Sequence, residues 1–289
     1  LDFFNTKKFS NKFDVIYEIL KNTLIKLKPK KVIFVEGDSP FQSLLVNACK
    51  DLKIESICLQ WGSSVWKKPR YGFRDLYCDK FLAHGEFFVN EVKKYNKNTK
   101  FYNVGNPLLN KADLNKKKSA IFLLQPSHTD PKKNLFKLME NIIKKNKDWF
   151  FFIRPHPNQD NLYLLKKYKK FKNIKIVYPH IENLHKSLKK NSISISSYSS
   201  SIVDSFNYNI VPLVYNTSLL LKKYNPNLKK HKLGIETKNF IYAKKKFNEI
   251  LNNQTELLYF KKNIYKKKKF FIKNHGKKSI KELTKAILK

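Results

Sequence analysis

Long apolar runs are missing from this chain of 289 residues. None approaches the roughly 20 residues that a membrane-spanning helix needs. No stretch reads as a secretory signal, so a cytoplasmic chain is expected. Cysteine is sparse as well: Cys49, Cys58 and Cys78 are scattered without paired metal spacing, which points to reduced structural thiols. HExxH, CxxC, Walker-loop and GxGxxG patterns are absent, which argues against zinc-hydrolase, ATPase and dehydrogenase chemistry. Arginine is almost missing. Of the 60 basic residues only Arg70, Arg74 and Arg154 are arginine. A nucleic-acid reader relies on arginine for bidentate base and phosphate contacts, so no nucleic-acid partner is expected despite a formal charge of +38.

What is present is lysine, in a background rich in Asn, Ile and Phe that resembles the codon bias of an AT-rich genome. Most of these lysines read as solvated surface. Their summed field still attracts anionic headgroups, at about 1 kcal/mol per nearby basic residue, and steers anionic donors toward a cleft. An apolar content of 42% fits a folded globular chain. Its length allows two domains, each with its own core.

Strand and helix patterns alternate throughout, as in α/β folds with parallel sheets. Strands are expected at Val32–Val35, Ser56–Leu59, Lys80–Ala83 and Phe101–Val104, with helices at Phe13–Leu27, Phe41–Leu52 and Glu86–Tyr95. After the Asn106-Pro107 step and the run Lys116-Lys117-Lys118, five more strands follow at Ala120–Leu124, Trp149–Ile153, Ile174–Tyr178, Ser192–Ser196 and Ile210–Val214. Helices fit at Asn134–Lys144, Leu162–Tyr168, Leu184–Lys189 and Ser201–Phe206. The expectation is therefore an acceptor-side Rossmann-like domain over 1–115, a nucleotide-donor domain over 116–256 and a basic helical tail over 257–289. The first domain reads as short, as if part of it lay outside this chain.

Chemistry-bearing residues collect where strands end, the edge at which α/β sheets bind ligands. Ile153-Arg154-Pro155-His156-Pro157 closes one strand, and the two prolines stiffen the turn around the imidazole. His156 can donate to a phosphate oxygen or cap a carbonyl. Ser196-Ser197-Tyr198-Ser199-Ser200-Ser201 closes another and opens a helix. Simple N-capping needs only one hydroxyl, so Ser199, Ser200 and Ser201 suit a phosphate too. Asp204 can accept from ribose hydroxyls or complement the helix dipole. In Gln125-Pro126-Ser127-His128-Thr129-Asp130, Ser127 and His128 can reach donor phosphates, or the loop is turn chemistry. Pro179 and His180 stand where a base could stack. In the first domain Glu36-Gly37-Asp38 offers a general base, Asp38 ahead of Glu36, or an N-cap before Pro40. Gln60-Trp61-Gly62-Ser63-Ser64 offers an acceptor contact through Gln60, Gly62 and Ser63. His84-Gly85-Glu86 is a weaker strand-end loop, while His185, His231 and His275 read as surface.

Ile153-Arg154-Pro155-His156-Pro157 followed by Tyr198-Ser199-Ser200-Ser201-Ile202-Val203-Asp204 resembles the second domain of the CDP-glycerol glycerophosphotransferases. It is also similar to the paired HP and serine motifs of bacterial polysialyltransferases and other capsule glycosyltransferases. The likeness spans about Val32 to Val214. It implies two Rossmann-like domains facing a cleft (GT-B), with His156 and the serines at the donor phosphates and an acidic base from the first domain. Glycerophosphotransferases carry a histidine-glycine pair after the position of Gln60, whereas Trp61 precedes Gly62 here, which favours a sugar donor. The Glu36-Gly37-Asp38 triplet is similar to the acidic-acidic-glycine motif of sialyltransferases without matching it. The Asp-Ser-Gly-Gly phosphate loop of the UDP-N-acetylglucosamine 2-epimerases is missing.

The combined expectation is a glycosyltransferase of bacterial capsule or lipopolysaccharide synthesis. It would use a CMP-, CDP- or UDP-linked donor and a glycan or lipid-linked acceptor, with no cofactor or metal, peripheral at the inner face of the cytoplasmic membrane. A glycerol- or ribitol-phosphate transferase with a CDP-linked donor is the same-fold alternative. A basic, non-catalytic membrane- or nucleic-acid-binding protein is the alternative of another class.

Overall fold

The structure, a computed structural model, describes residues 7–35, 40–60, 62, 76–109, 118–125, 134–157, 165–166, 168–197, 199, 201–217 and 227–289, with 7–11 in backbone only. Two wholly parallel sheets organise it. In the first, β1 (Lys31–Val35), β2 (Glu55–Leu59), β3 (Lys80–Ala83) and β4 (Lys100–Asn103) lie side by side in chain order. Helix α1 (Lys7–Leu27) precedes β1, α2 (Pro40–Asp51) links β1 to β2, and α3 (Glu86–Lys93) links β3 to β4. Period-two alternation explains the two faces. Ile57 and Leu82 join Val104 and Ala286 in one core, while Cys58, Phe81 and Ala83 join Phe88 and Val92 in another. Cys49, Cys58 and Cys78 are free and buried, as structural thiols should be. Burial, helped by the charge of Asp79, pushes the Cys49 thiol up to about 11.

The second sheet contains β5 (Ser119–Leu123), β6 (Phe150–Arg154), β7 (Ile174–Ile176), β8 (Ile193–Ser196), β9 (Val211–Tyr215) and β10 (Ile235–Thr237). Their order is β10-β9-β8-β5-β6-β7, which is the doubly wound order with a topological switch point between β5 and β8. Central strands β5, β8 and β9 are buried along their whole length, the mark of a parallel sheet covered on both faces. Helix α4 (Asn134–Lys145) buries Leu135, Leu138, Met139, Ile142 and Ile143, an apolar stripe at helical spacing. Helices α5 (Leu184–Lys189), α6 (Ser201–Asn207), α7 (Leu228–His231) and α8 (Phe240–Asn252) complete the layers.

The basic tail forms α9 (Gln254–Phe271) and α10 (Gly276–Leu288). Helix α9 packs against α6 and β9 of the second unit and then against α3 of the first. Phe271 stacks tilted against both Phe206 and Phe87 at 5.0 and 4.8 Å, joining the two units. Helix α10 then covers the first sheet through Leu283, Ala286 and Ile287. Lys31 and Lys80 donate to the carbonyls of Ile287 and Ala286 while both pair with Glu55. The turn between α9 and α10 packs closely because glycine stands two residues past the ends of β3 and β4. A Cβ on Gly85 would overlap the carbonyl oxygen of Phe271, and one on Gly105 that of Asn274.

Several expectations change. The second sheet has a sixth strand, β10, since three half-buried residues suffice to pair with β9. Strand β7 stops at Ile176, two residues before the expected end. Of the expected helix at Leu162–Tyr168, residues 165, 166 and 168 form only a 3-10 turn, and the remainder lies outside the described residues. His185, His231 and His275 are half-buried rather than surface. His231 sits edge-on to Phe87 and Phe271, His185 tilts against Tyr208, and His275 pairs with Asn106 in an isolated bridge before α10.

Candidate functional site at the carboxyl edge of the sheets

Strand register places the candidate donor residues at one level. Leu123 of β5 is opposite Arg154 of β6 on one side and Ser196 of β8 on the other, and Ser196 is opposite Val214 of β9. His156 lies two residues past Arg154, and the serine loop begins one past Ser196. Both therefore leave the same edge, on strands that flank β5 and are about 10 Å apart. That edge contains the β5/β8 switch point, the position at which doubly wound sheets hold their ligands. His156 and Ser199 are half-buried there, and Gln125, at the end of β5, is buried.

The serines divide by task. Ser194, Ser196, Ser197 and Ser205 are internal. Ser205 donates to Ser194 Oγ at 3.2 Å and to the carbonyl of Ser201 at 2.8 Å, fixing α6 on β8. Ser197 Oγ is 2.8 Å from Thr217 Oγ1 and accepts from the Thr217 amide, which ties the ends of β8 and β9 together. Ser199 Oγ accepts from the Ser201 amide at 3.1 Å, so it opens the helix as a cap while standing at the lip. Ser201 and Asp204 are on the seven-residue α6, which is buried throughout.

Arg154 turns inward. Its Nη1 donates to the Glu182 carbonyl at 2.7 Å and to Ser187 Oγ at 3.1 Å, with the side chain only 8% exposed. Glu182 in turn accepts from Ser187 and Lys190. Burial alone would raise its carboxyl, but those two hydrogen bonds outweigh it and hold the group below its ordinary value. This network anchors the segment after β7, where Tyr178 and His180 stack at 5.7 Å. Pro179 is half-buried between them and His180 is exposed. Burial, and then the nearby Arg154 charge, lower the His185 imidazole.

At the first sheet's edge Gln60 acts as a brace. Its Oε1 accepts from the His84 amide at 2.8 Å and its Nε2 donates to the Gly62 carbonyl at 2.9 Å. His84 is buried under the α9–α10 turn, its carbonyl accepting from the Lys273 amide. Burial pushes its imidazole down to about 4. Its Nδ1 has no hydrogen-bond partner among the described residues. Glu36, Asp38, Ser63, Ser127, His128 and Ser200 lie outside the described residues.

Residues not singled out as candidates include Asn216, Thr217 and Glu182. Asn216-Thr217 follows β9 as a polar pair at a strand end, the same signal that marked the serine loop. Asn216 Nδ2 donates to Glu236 at 2.9 Å, extending the tied edge to β10.

These two sheets and the returning C-terminal helix make up a GT-B fold. Among solved structures the chain is similar to a UDP-GlcNAc 2-epimerase from Neisseria meningitidis bound to UDP-GlcNAc, with TM-score 0.66, 14% identity, and 96% of this chain and 81% of that one covered. It is similar to the S. aureus MnaA–UDP complex at TM-score 0.66 and 14% identity, covering 96% and 79%. It is also similar to the pneumococcal O-GlcNAc transferase GtfA in complex with UDP and GlcNAc, at TM-score 0.60 and 8% identity, covering 93% and 59%. No protein-family model matches the chain, and no curated protein matches it.

Proposed function

We propose that the chain is a GT-B glycosyltransferase that moves a sugar from a nucleotide-activated donor to a glycan acceptor during synthesis of a bacterial surface polysaccharide. The observation that carries this is the row Arg154–Leu123–Ser196, which delivers His156 and the hydroxyl loop to the edge that contains the switch point. Structures of similar fold hold UDP or UDP-GlcNAc, which supports a nucleotide-sugar ligand.

His156, Ser199, Ser200 and Ser201 donate hydrogen bonds to the donor phosphates, joined by Ser127 and His128 from the loop after β5. Asp204 accepts from the ribose, and the base lies by Tyr178, Pro179 and His180. Arg154 holds that last segment in place. An acceptor hydroxyl, oriented near Gln60, Gly62 and Ser63, loses its proton to Asp38 or Glu36. Its oxygen bonds to the anomeric carbon as the bond from that carbon to the phosphate oxygen breaks. The charge that develops on the departing nucleotide is met by fixed donors, the arrangement that contributes most when aimed at a transition state. The enzyme works without a cofactor, at the anionic inner face of the membrane, to which its lysines are drawn.

Incubation with CMP-, CDP-, UDP- and GDP-linked sugars, followed by chromatography of released nucleotide and of the sugar, tests the reading. One nucleotide class is expected to be consumed with transfer, and His156→Ala to cut turnover roughly a hundredfold or more. Near-normal turnover in that variant removes His156 from the mechanism. Release of a 2-epimerised sugar instead supports the epimerase reading that the fold likeness raises, and consumption of CDP-glycerol or CDP-ribitol alone supports a polyol-phosphate transferase.

A further inference from the structure

The amino ends of the second sheet's strands lie opposite the candidate site, and there the surface has a distinct chemistry. A groove of about 750 Å³ opens between the end of α4 and the turn before β7, floored by Ile143, Tyr168 and Phe171. Lys144, Lys147, Lys170 and Lys172 rim it, all exposed. A second groove of about 660 Å³ runs along α8, lined by Ile241, Lys244, Lys245 and Asn252, with Lys145 of α4 on its other wall. Asn146 Nδ2 donates to Asn248 Oδ1 at 2.6 Å and Asn252 donates to Asn146 at 3.0 Å, locking the two helices into one surface. The acids here are engaged: Glu140 accepts from the Tyr168 hydroxyl, and Glu249 pairs with Lys245 and Lys246. Phe171 is 43% exposed and Ile241 is 77% exposed.

We infer that the chain docks on an anionic bilayer through this face, formed by the end of α4 and the 168–173 turn. The inference rests on the proposed function, which sets the enzyme at a membrane, and it names the surface. Lysines reach anionic phosphates with their ammonium groups while their stems cover apolar ground. Phe171 enters at the headgroup level, as an apolar side chain ringed by lysine does in interfacial proteins. Charge alone does not select the face, because lysine covers the whole molecule. The selection comes from an apolar floor, an exposed aromatic tip and acids held in hydrogen bonds or ion pairs. Its position on the edge away from the β5/β8 switch point leaves the donor site open in the docked state.

The test uses the full chain and sedimentation with phosphatidylcholine vesicles containing about 30% phosphatidylglycerol, at about 0.1 M salt, where only charges within roughly 10 Å act strongly. Wild type is expected to bind these and to ignore pure phosphatidylcholine. A variant carrying Lys144→Glu, Lys147→Glu, Lys170→Glu and Lys172→Glu is expected to lose affinity about a hundredfold. A control with the same charge change on α9 and α10, Lys262→Glu, Lys266→Glu, Lys277→Glu and Lys278→Glu, is expected to lose only about threefold. Phe171→Ser, at constant charge, is expected to lose roughly fivefold. Equal losses in the two lysine variants, or no binding by wild type, would overturn the inference. So would a variant that loses only poly(U) binding, which would make the face a nucleic-acid surface. The thermal shift induced by CMP, CDP, UDP and GDP in turn, measured on the same proteins without vesicles, separates the two readings. Docking without any nucleotide shift sinks the transferase, and a shift without docking sinks the face.

Discussion

Arg154 donates its Nη1 hydrogen bond to the main-chain carbonyl of Glu182, 2.7 Å away and 28 residues later in the chain. The strongest cation at the candidate edge therefore organises protein instead of reaching outward. A buried guanidinium with two fixed acceptors is costly to remove, because each charged hydrogen bond contributes about 1.5–3 kcal/mol. Arg154→Met should destabilise the fold by roughly 2–4 kcal/mol. It should also raise KM for the donor more than it lowers kcat, because the Tyr178–His180 segment shifts. Thermal melts and steady-state kinetics check both. Arg154→Lys should not restore donor KM, since a point charge does not reproduce the fork.

Gly105 has φ +86° and faces the backbone of Asn274. Gly105→Ala meets left-handed strain and a backbone overlap together, and should cost about 3 kcal/mol or more. The expected readout is a melting point lower by roughly 6 °C or more, with faster proteolytic loss of α10. An unchanged melt would show that the C-terminal helices dock less firmly than their contacts imply.

His84 makes stability fall in acid. Its imidazole titrates near 6.5 unfolded and at about 4 folded, because burial penalises the charged form. Above 6.5 both states are neutral and no penalty acts. As pH falls from 6.5 toward 4 the unfolded state alone takes the proton, and stability drops by about 1.4 kcal/mol per pH unit before levelling below 4. His84→Leu keeps the main-chain bonds to Gln60 and Lys273 while removing the titration. Denaturant unfolding at pH 7.5 and pH 4.5 should show wild type losing roughly 2 kcal/mol more than the variant between those values. Equal losses would refute the burial of a neutral imidazole.

The alternation of strands and helices was plain in the chain because Ala120-Ile121-Phe122-Leu123 and Val211-Pro212-Leu213-Val214 are short apolar runs bounded by turn residues. Strand ends were also plain, and with them the expectation that His156 and the serine loop leave one edge of the sheet. Side-chain direction was not. Arg154 stands at a strand end whether it faces out or in, and only the position of Glu182 decides. His84 carries no local sign of burial, since its cover, Lys273, arrives 189 residues later in the chain. Strand β10 escaped because Ile235-Glu236-Thr237 is too brief and too polar to stand out without β9 beside it.

Calorimetric titration of UDP, CDP, CMP and GDP into the wild-type chain and into His156→Ala tests the account most directly. One nucleotide should bind wild type at micromolar strength, and the variant should bind it at least tenfold more weakly, about 1.4 kcal/mol. No heat from any of the four, or equal affinity in both proteins, would contradict a phosphate site built on His156 and the serine loop.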